Sequence, residues 1–273
     1  MPRFHELAIE GGTPVRQTPF LSWPHFEVEE IEAASTVLRT GRVNYWTGEE
    51  GRLFEAEFAA LVDCKYAVAV ANGSIGLELA LYALGIGPGD EVIVTSRSFV
   101  ASAACVVMRG ATPVFADIDR ESQNITADSI CRLLSARTKA IIAVHLSGWP
   151  CEMDAIRSIA HERGVAIVED CAQAHGAAFR GRPVGSLGDI ASFSFCQDKI
   201  ISTGGEGGMV VTNRRNLWEK VWSFKDHGKN YQLMNKAHDS LHYRWVHESI
   251  GTNLRMTEMQ SSEQFVQCLP WGL

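Results

Sequence analysis

The chain has 273 residues, 46% hydrophobic and 21% charged, the balance of a folded chain with a sizeable core. A net charge of −7 without a polybasic run argues against a nucleic-acid surface, and no apolar run reaches membrane-spanning length. The seven cysteines are scattered and form no Cys-x-x-Cys, as in a reduced cytoplasmic protein, and the first six residues carry no apolar stretch of the signal-peptide kind.

In chain order, residues 27–38 read as an amphipathic helix stopped at Gly41. Residues 51–62 read as a second, with Leu53, Phe54, Phe58 and Leu61 on one face. Short apolar runs then alternate with helical stretches. Strands are expected at 67–71, 91–95, 113–117, 139–145, 165–170, 191–195 and 208–212. Helices are expected at 74–84, 99–109, 127–134, 152–163 and 214–226. Most of the strands are apolar on both faces, the mark of a mostly parallel sheet between helices. The fold class is therefore α/β and doubly wound, with seven strands. In such sheets ligands lie at the carboxyl ends of the strands. A last helix begins near Thr257 and loses its pattern within a turn or two.

Two residues at strand ends carry the chemical argument. Lys199 follows the strand 191–195 and is bracketed by Phe193, Phe195, Ile200 and Ile201. A lysine in apolar surroundings is paired or uses its amine, and desolvation frees that amine as a nucleophile. Asp170 ends the strand 165–170, with Gln173 and His175 just beyond. The alternative for Asp170 is an exposed strand end or a helix cap. An amine and a carboxylate so placed match the needs of pyridoxal 5'-phosphate (PLP). The lysine would hold its aldehyde and the acid would keep its ring nitrogen protonated.

Four further features are ambiguous alone. The run Asn72, Gly73, Ser74 opens a helix after a strand, which suits a phosphate but also describes a plain N-cap and turn. Ser194, one strand period from the core-facing phenylalanines, is a second phosphate ligand candidate. Phe99 can stack on a flat ring or pack in the core. His145 can line the site or hydrogen-bond a loop; with His161, Cys151 and Cys171 it has no metal-ligand spacing.

Taken together, the segments GRVNYWTG (41–48), ANGS (71–74), VHLSG (144–148), EDCAQAHG (169–176), SFSF (192–195) with Lys199, Gly204 to Gly208, and GTNLRM (251–256) resemble the DegT/DnrJ/StrS-type sugar aminotransferases. The resemblance runs in order over about residues 8–260. It implies a fold type I PLP-enzyme large domain and transamination of a nucleotide-linked keto-sugar, with glutamate as amino donor, in amino-sugar or polysaccharide biosynthesis. It implies that Lys199 binds the cofactor aldehyde and then serves as general acid and base. Asp170 pairs with the pyridine nitrogen, Gln173 meets the ring hydroxyl, and Gly73, Ser74 and Ser194 hold the phosphate. Asn253 reaches the cofactor of the neighbouring subunit in a homodimer with shared sites. Relatives with histidine at the lysine position dehydrate sugars instead, so Lys199 favours amino transfer.

Departures from the family pattern are Ser74 where threonine is common, and Arg97 where the family has an uncharged residue. The organisation expected is an N-terminal segment and helix over 1–40, the PLP-binding domain over 41–250, and over 251–273 the start of a C-terminal region whose small domain is largely missing. That shortening leaves a second reading open: a fragment that folds and binds PLP without turnover.

Overall fold

A computed structural model describes residues 7–235 and 246–262. Helix α1 (Val28–Thr40) starts at a capping box, in which Glu27 and Glu30 satisfy each other's backbone amides, and stops at Gly41 with φ 69°. Helix α2 (Glu50–Leu61) buries Phe54 and Phe58. Leu53, expected on that apolar face, is 52% exposed, because it lies one helical step, about 100°, from Phe54.

The chain continues as β1 (Tyr66–Val70), α3 (Gly73–Ala83), β2 (Glu91–Thr95), α4 (Ala101–Met108), β3 (Thr112–Ala116), α5 (Ala127–Cys131) and β4 (Thr138–Val144). It goes on through α6 (Met153–Arg163), β5 (Ala166–Asp170), β6 (Ala178–Phe179), β7 (Arg182–Pro183), β8 (Ile190–Ser194), β9 (Gly208–Thr212), α7 (Arg215–Lys225) and α8 (Tyr231–Asn235). The seven expected strands form one sheet in the order β1-β9-β8-β5-β4-β2-β3. Only β9 runs against its neighbours. The remaining pair, β6–β7, is a hairpin outside that sheet, turning through Arg180 and Gly181 at φ 52° and 77°. Two central residues with positive φ make the primed turn that joins such strands tightly. Two-residue strands carry no readable periodicity, and the sequence did not point to them.

Apolar side chains fill both faces of the sheet. One core gathers Phe54, Phe58, Ile141, Ile156, Ile167, Phe193 and Phe195 under α2, α5 and α6. The other gathers Val68, Leu79, Val94, Val106, Ile142, Val210 and Trp222 under α3, α4 and α7. Strand β8 shows how one short sequence serves both. Phe193 and Phe195 enter the first core, while Ser192 and Ser194 face α3. A Cβ on Gly73 would lie 2.6 Å from Ser194 Cβ, and one on Gly76 would collide with Ser192. Glycine at those two helix positions therefore lets the start of α3 lie directly on β8. This contact places the helix amino end beside the carboxyl ends of β4, β5 and β8.

Candidate active site

At those strand ends lies a cavity of about 460 Å³, within the usual range for a small-molecule site. Val144 of β4, Asp170 of β5 and Ser194 of β8 reach it from three strand ends, and Asn72, Gly73, Ser74 and Leu77 from the start of α3. Phe99, Gln173 and Lys199 complete the set of expected residues on its wall. Asn253 is exposed and lies outside this lining, in a bridge with Asp226.

Asp170 is 5% exposed. Its Oδ2 accepts from Ser102 Oγ at 2.7 Å and its Oδ1 from the Ala172 amide at 3.2 Å. Ser102 in turn meets Ser98 Oγ at 2.5 Å. Burial pushes the Asp170 carboxyl above its ordinary range, although these two donors and the nearby His145 and Lys199 work the other way. A cation at the cavity end of this carboxylate would relieve its desolvation.

The amino end of α3 supplies the other pole. Asn72 caps the helix, its Oδ1 accepting from Ile75 N at 2.9 Å. The amides of Gly73 and Ser74 lie in the first turn, where no intrahelical acceptor exists, so they suit an anion together with the Ser74 hydroxyl. Both descriptions of this segment hold at once: Asn72 is an N-cap, and the turn that it caps faces a cavity. Ser194, at the end of β8, lies directly beside Gly73 and lines the same cavity. Gln173 is oriented by its Oε1, which accepts from Ser147 N at 2.7 Å; its amide NH₂ is the end left to donate. Phe99 precedes α4 rather than joining the core and is 68% exposed, so its ring face is free.

Lys199 departs from the expectation of a dry, unpaired amine. Its side chain is 19% exposed and Nζ lies 2.9 Å from Asp198 Oδ2. The reason is backbone geometry. After Phe195 the chain leaves the sheet and turns, Lys199 N donating to Cys196 O at 2.9 Å. Strand alternation no longer applies there, and Ile200 faces solvent at 46% exposure instead of covering the lysine. Lys199 and Asp170 nevertheless line the same cavity, on one side of the sheet.

Glu169, next to Asp170, points through the sheet to the opposite core. It is fully buried and accepts from the amides of Gly185, Leu187 and Gly188 at 2.9, 2.8 and 2.6 Å, and from His145 Nε2 at 2.9 Å. His145 Nδ1 takes the Cys151 amide at 3.1 Å, which leaves the ring proton on Nε2. His145 therefore supports a loop and does not line the cavity. Among the described residues, His145, Glu169 and Cys171 form one group of metal-ligand types within 4.8 Å. Its oxygens and ring nitrogens already take part in the hydrogen bonds just given. Arg97 is exposed and bonded to Gln123.

Asp198, Ser98 and Ser102 were not singled out from the sequence. Ser102 lies in the first turn of α4 and Ser98 in the bend before it, so no helical spacing links them in the sequence. Asp198 carried no signal beyond adjacency to Lys199.

Residues 24–267 match the DegT/DnrJ/EryC1/StrS aminotransferase family. The chain is 41% identical over 217 residues to the GDP-perosamine synthase of Escherichia coli O157:H7, spanning 78% of this chain and 57% of that protein. It is 39% identical over 260 residues to the dTDP-3-amino-3,4,6-trideoxy-alpha-D-glucose transaminase of Streptomyces venezuelae, spanning 94% and 64%. The X-ray structure of the aminotransferase from Psychrobacter cryohalolentis superposes with a TM-score of 0.90 at 54% identity, over 92% of this chain and 64% of that one. The chain thus spans about three fifths of the length of these relatives.

Proposed function

The chain belongs to the DegT/DnrJ/EryC1/StrS aminotransferase family, and from that premise we propose that it moves an amino group from glutamate to a keto-sugar carried on a nucleotide, using PLP. The observation that carries this reading is the convergence on one cavity of a buried carboxylate, a lysine amine and a helix amino end. These three match the ring nitrogen, aldehyde and phosphate of that cofactor. The residues fit it chemically: Asp170 is a desolvated acid short of a cation, and the first-turn amides of α3 are short of an anion.

When bound, PLP supplies an electron-withdrawing ring that stabilises negative charge on the substrate carbon. The protein's own part is positional and acid–base. Asp170 would keep the proton on the ring nitrogen. Gly73, Ser74 and Ser194 would bind the phosphate. The Gln173 amide would donate to the ring hydroxyl, and Phe99 would cover a ring face. Lys199 Nζ would hold the aldehyde and, when released from it, would serve as the acid and base at the substrate carbon. In the net reaction the amine of glutamate would take the place of the sugar carbonyl oxygen, which would end on 2-oxoglutarate. The relatives named above, a GDP-perosamine synthase and a dTDP-aminosugar transaminase, support a nucleotide-sugar acceptor.

We place Asn253 at the cofactor phosphate of a second copy, in a homodimer, since it is exposed and outside its own cavity. Among the described residues no helix is long and apolar enough to cross a membrane, and we assign the enzyme to the cytoplasm.

The test is direct. The protein incubated with PLP should turn yellow, borohydride should fix the cofactor mass on the peptide holding Lys199, and Lys199→Ala should abolish both. Glutamate should then release 2-oxoglutarate. Protein that stays colourless with added PLP overturns the reading. Uptake of PLP without release of 2-oxoglutarate would favour a chain that binds without turnover.

A further inference from the structure

Asp198 and Lys199 are neighbours, and on a strand they would point apart. In the turn after β8 they converge, with Nζ 2.9 Å from Asp198 Oδ2. The lysine is the shielded member, with 19% of its side chain exposed against 66% for the aspartate. The other ionisable groups facing the amine are engaged elsewhere or neutral. Asp170 of β5 is held by Ser102 and Ala172. His175, after β5, lies across the sheet against Phe193 and Phe195, and burial lowers its pKa to about 4. Glu206, before β9, lines the cavity and hydrogen-bonds the Cys196 thiol at 3.9 Å. Asp198 is the acid in contact with Nζ.

We propose that Asp198 is a positioning residue that holds the Lys199 ammonium at the cavity rim, so that capture of an aldehyde competes with an ion pair. This rests on the reading of Lys199 given above. An ammonium has no free electron pair. To add to an aldehyde carbon, the amine must first release a proton to solvent; a C–N bond then forms and water leaves. Losing that proton forfeits the pair with Asp198. The same contact pulls the Asp198 carboxyl below its ordinary range, so the acid stays ionised wherever the enzyme works.

The decisive measurement needs no cofactor. The full chain is acetylated with trace acetic anhydride between pH 7 and 10, and labelling of Lys199 is read by peptide mass spectrometry. Asp198→Asn keeps the side-chain size and removes the charge. Its Lys199 should label roughly two- to fivefold faster at pH 8, the worth of an ion pair this exposed. Lys65 should be unchanged in the same digest. Asp198→Glu should restore slow labelling, and molar salt should speed labelling of the wild type more than that of Asp198→Asn. Equal rates in wild type and Asp198→Asn, or a difference indifferent to salt, overturn the proposal.

A second arm compares the rates of PLP uptake, which should be higher in Asp198→Asn. If neither protein takes up PLP, the cofactor reading fails and the labelling still decides the role of Asp198. If both take it up at equal rates and label equally, only Asp198 loses its role.

Discussion

Glu169 and Asp170 are adjacent carboxylates on one strand, and the sheet separates them into opposite regimes. Glu169 sits at 0% exposure with four donors directed at its two oxygens. Asp170 sits at 5% exposure with two donors, and burial raises its proton affinity. A buried carboxylate ringed by backbone amides is a structural part, since its charge is already compensated. One left short of donors at a cavity wall costs the fold something and is a site for a cation or a proton. The same residue type, one position apart, thus serves architecture on one face and chemistry on the other.

Three experiments would break or sharpen this contrast. The largest effect should come from Glu169→Gln, which sets an amide NH₂ against backbone N–H donors. It should cost about 3–5 kcal/mol of stability, the range for breaking a buried charged network, read as a lowered urea midpoint. Next, Asp170→Asn should leave that midpoint unchanged or raise it while amino transfer falls about 10²–10³-fold, the scale of one lost electrostatic contact at a reacting centre. If Asp170→Asn unfolds the protein as readily as Glu169→Gln does, the two acids do not differ in kind.

The smallest effect concerns His175, on the Glu169 side, whose ring is buried, with the Ser194 backbone as its one nearby polar contact among the described residues. It packs on Phe193 and Phe195 at ring separations of 5.5 and 5.6 Å. Burial lowers its pKa from 6.5 to about 4, helped by the charge of Lys199. Between those values the unfolded chain binds the proton that the folded chain refuses. Stability is therefore present above pH 6.5 and is lost as pH falls, by up to about 3 kcal/mol. His175→Leu should remove that acid-side loss, seen as a smaller drop in melting temperature between pH 7 and 4.5. Asp170 acts in the opposite sense. Its raised pKa means that its contribution is lost as pH rises above the unfolded value of 3.8, and Asp170→Asn should flatten that slope.

Much of the fold was legible because its signals are local. Each strand of the main sheet is a short apolar run bounded by turn residues. Each helix from α1 to α7 coincides with an expected one, with ends differing by a few residues. The hairpin β6–β7 and the short α8 were not legible, being two and five residues long. In the site, Gly73, Ser74, Phe99, Asp170, Gln173, Ser194 and Lys199 were read from the sequence and share one cavity. The Ser102 bond to Asp170 spans 68 positions, and no local pattern announces it.

Residue order alone determined the alternation of elements and the two-faced β8, because these depend on side-chain period. Only the folded chain decided which carboxylate is saturated and which is left wanting, and that Lys199 is paired at a rim instead of sealed in a dry pocket. Those outcomes depend on what distant segments bring within 3 Å, and charge compensation in a protein interior is settled at that range.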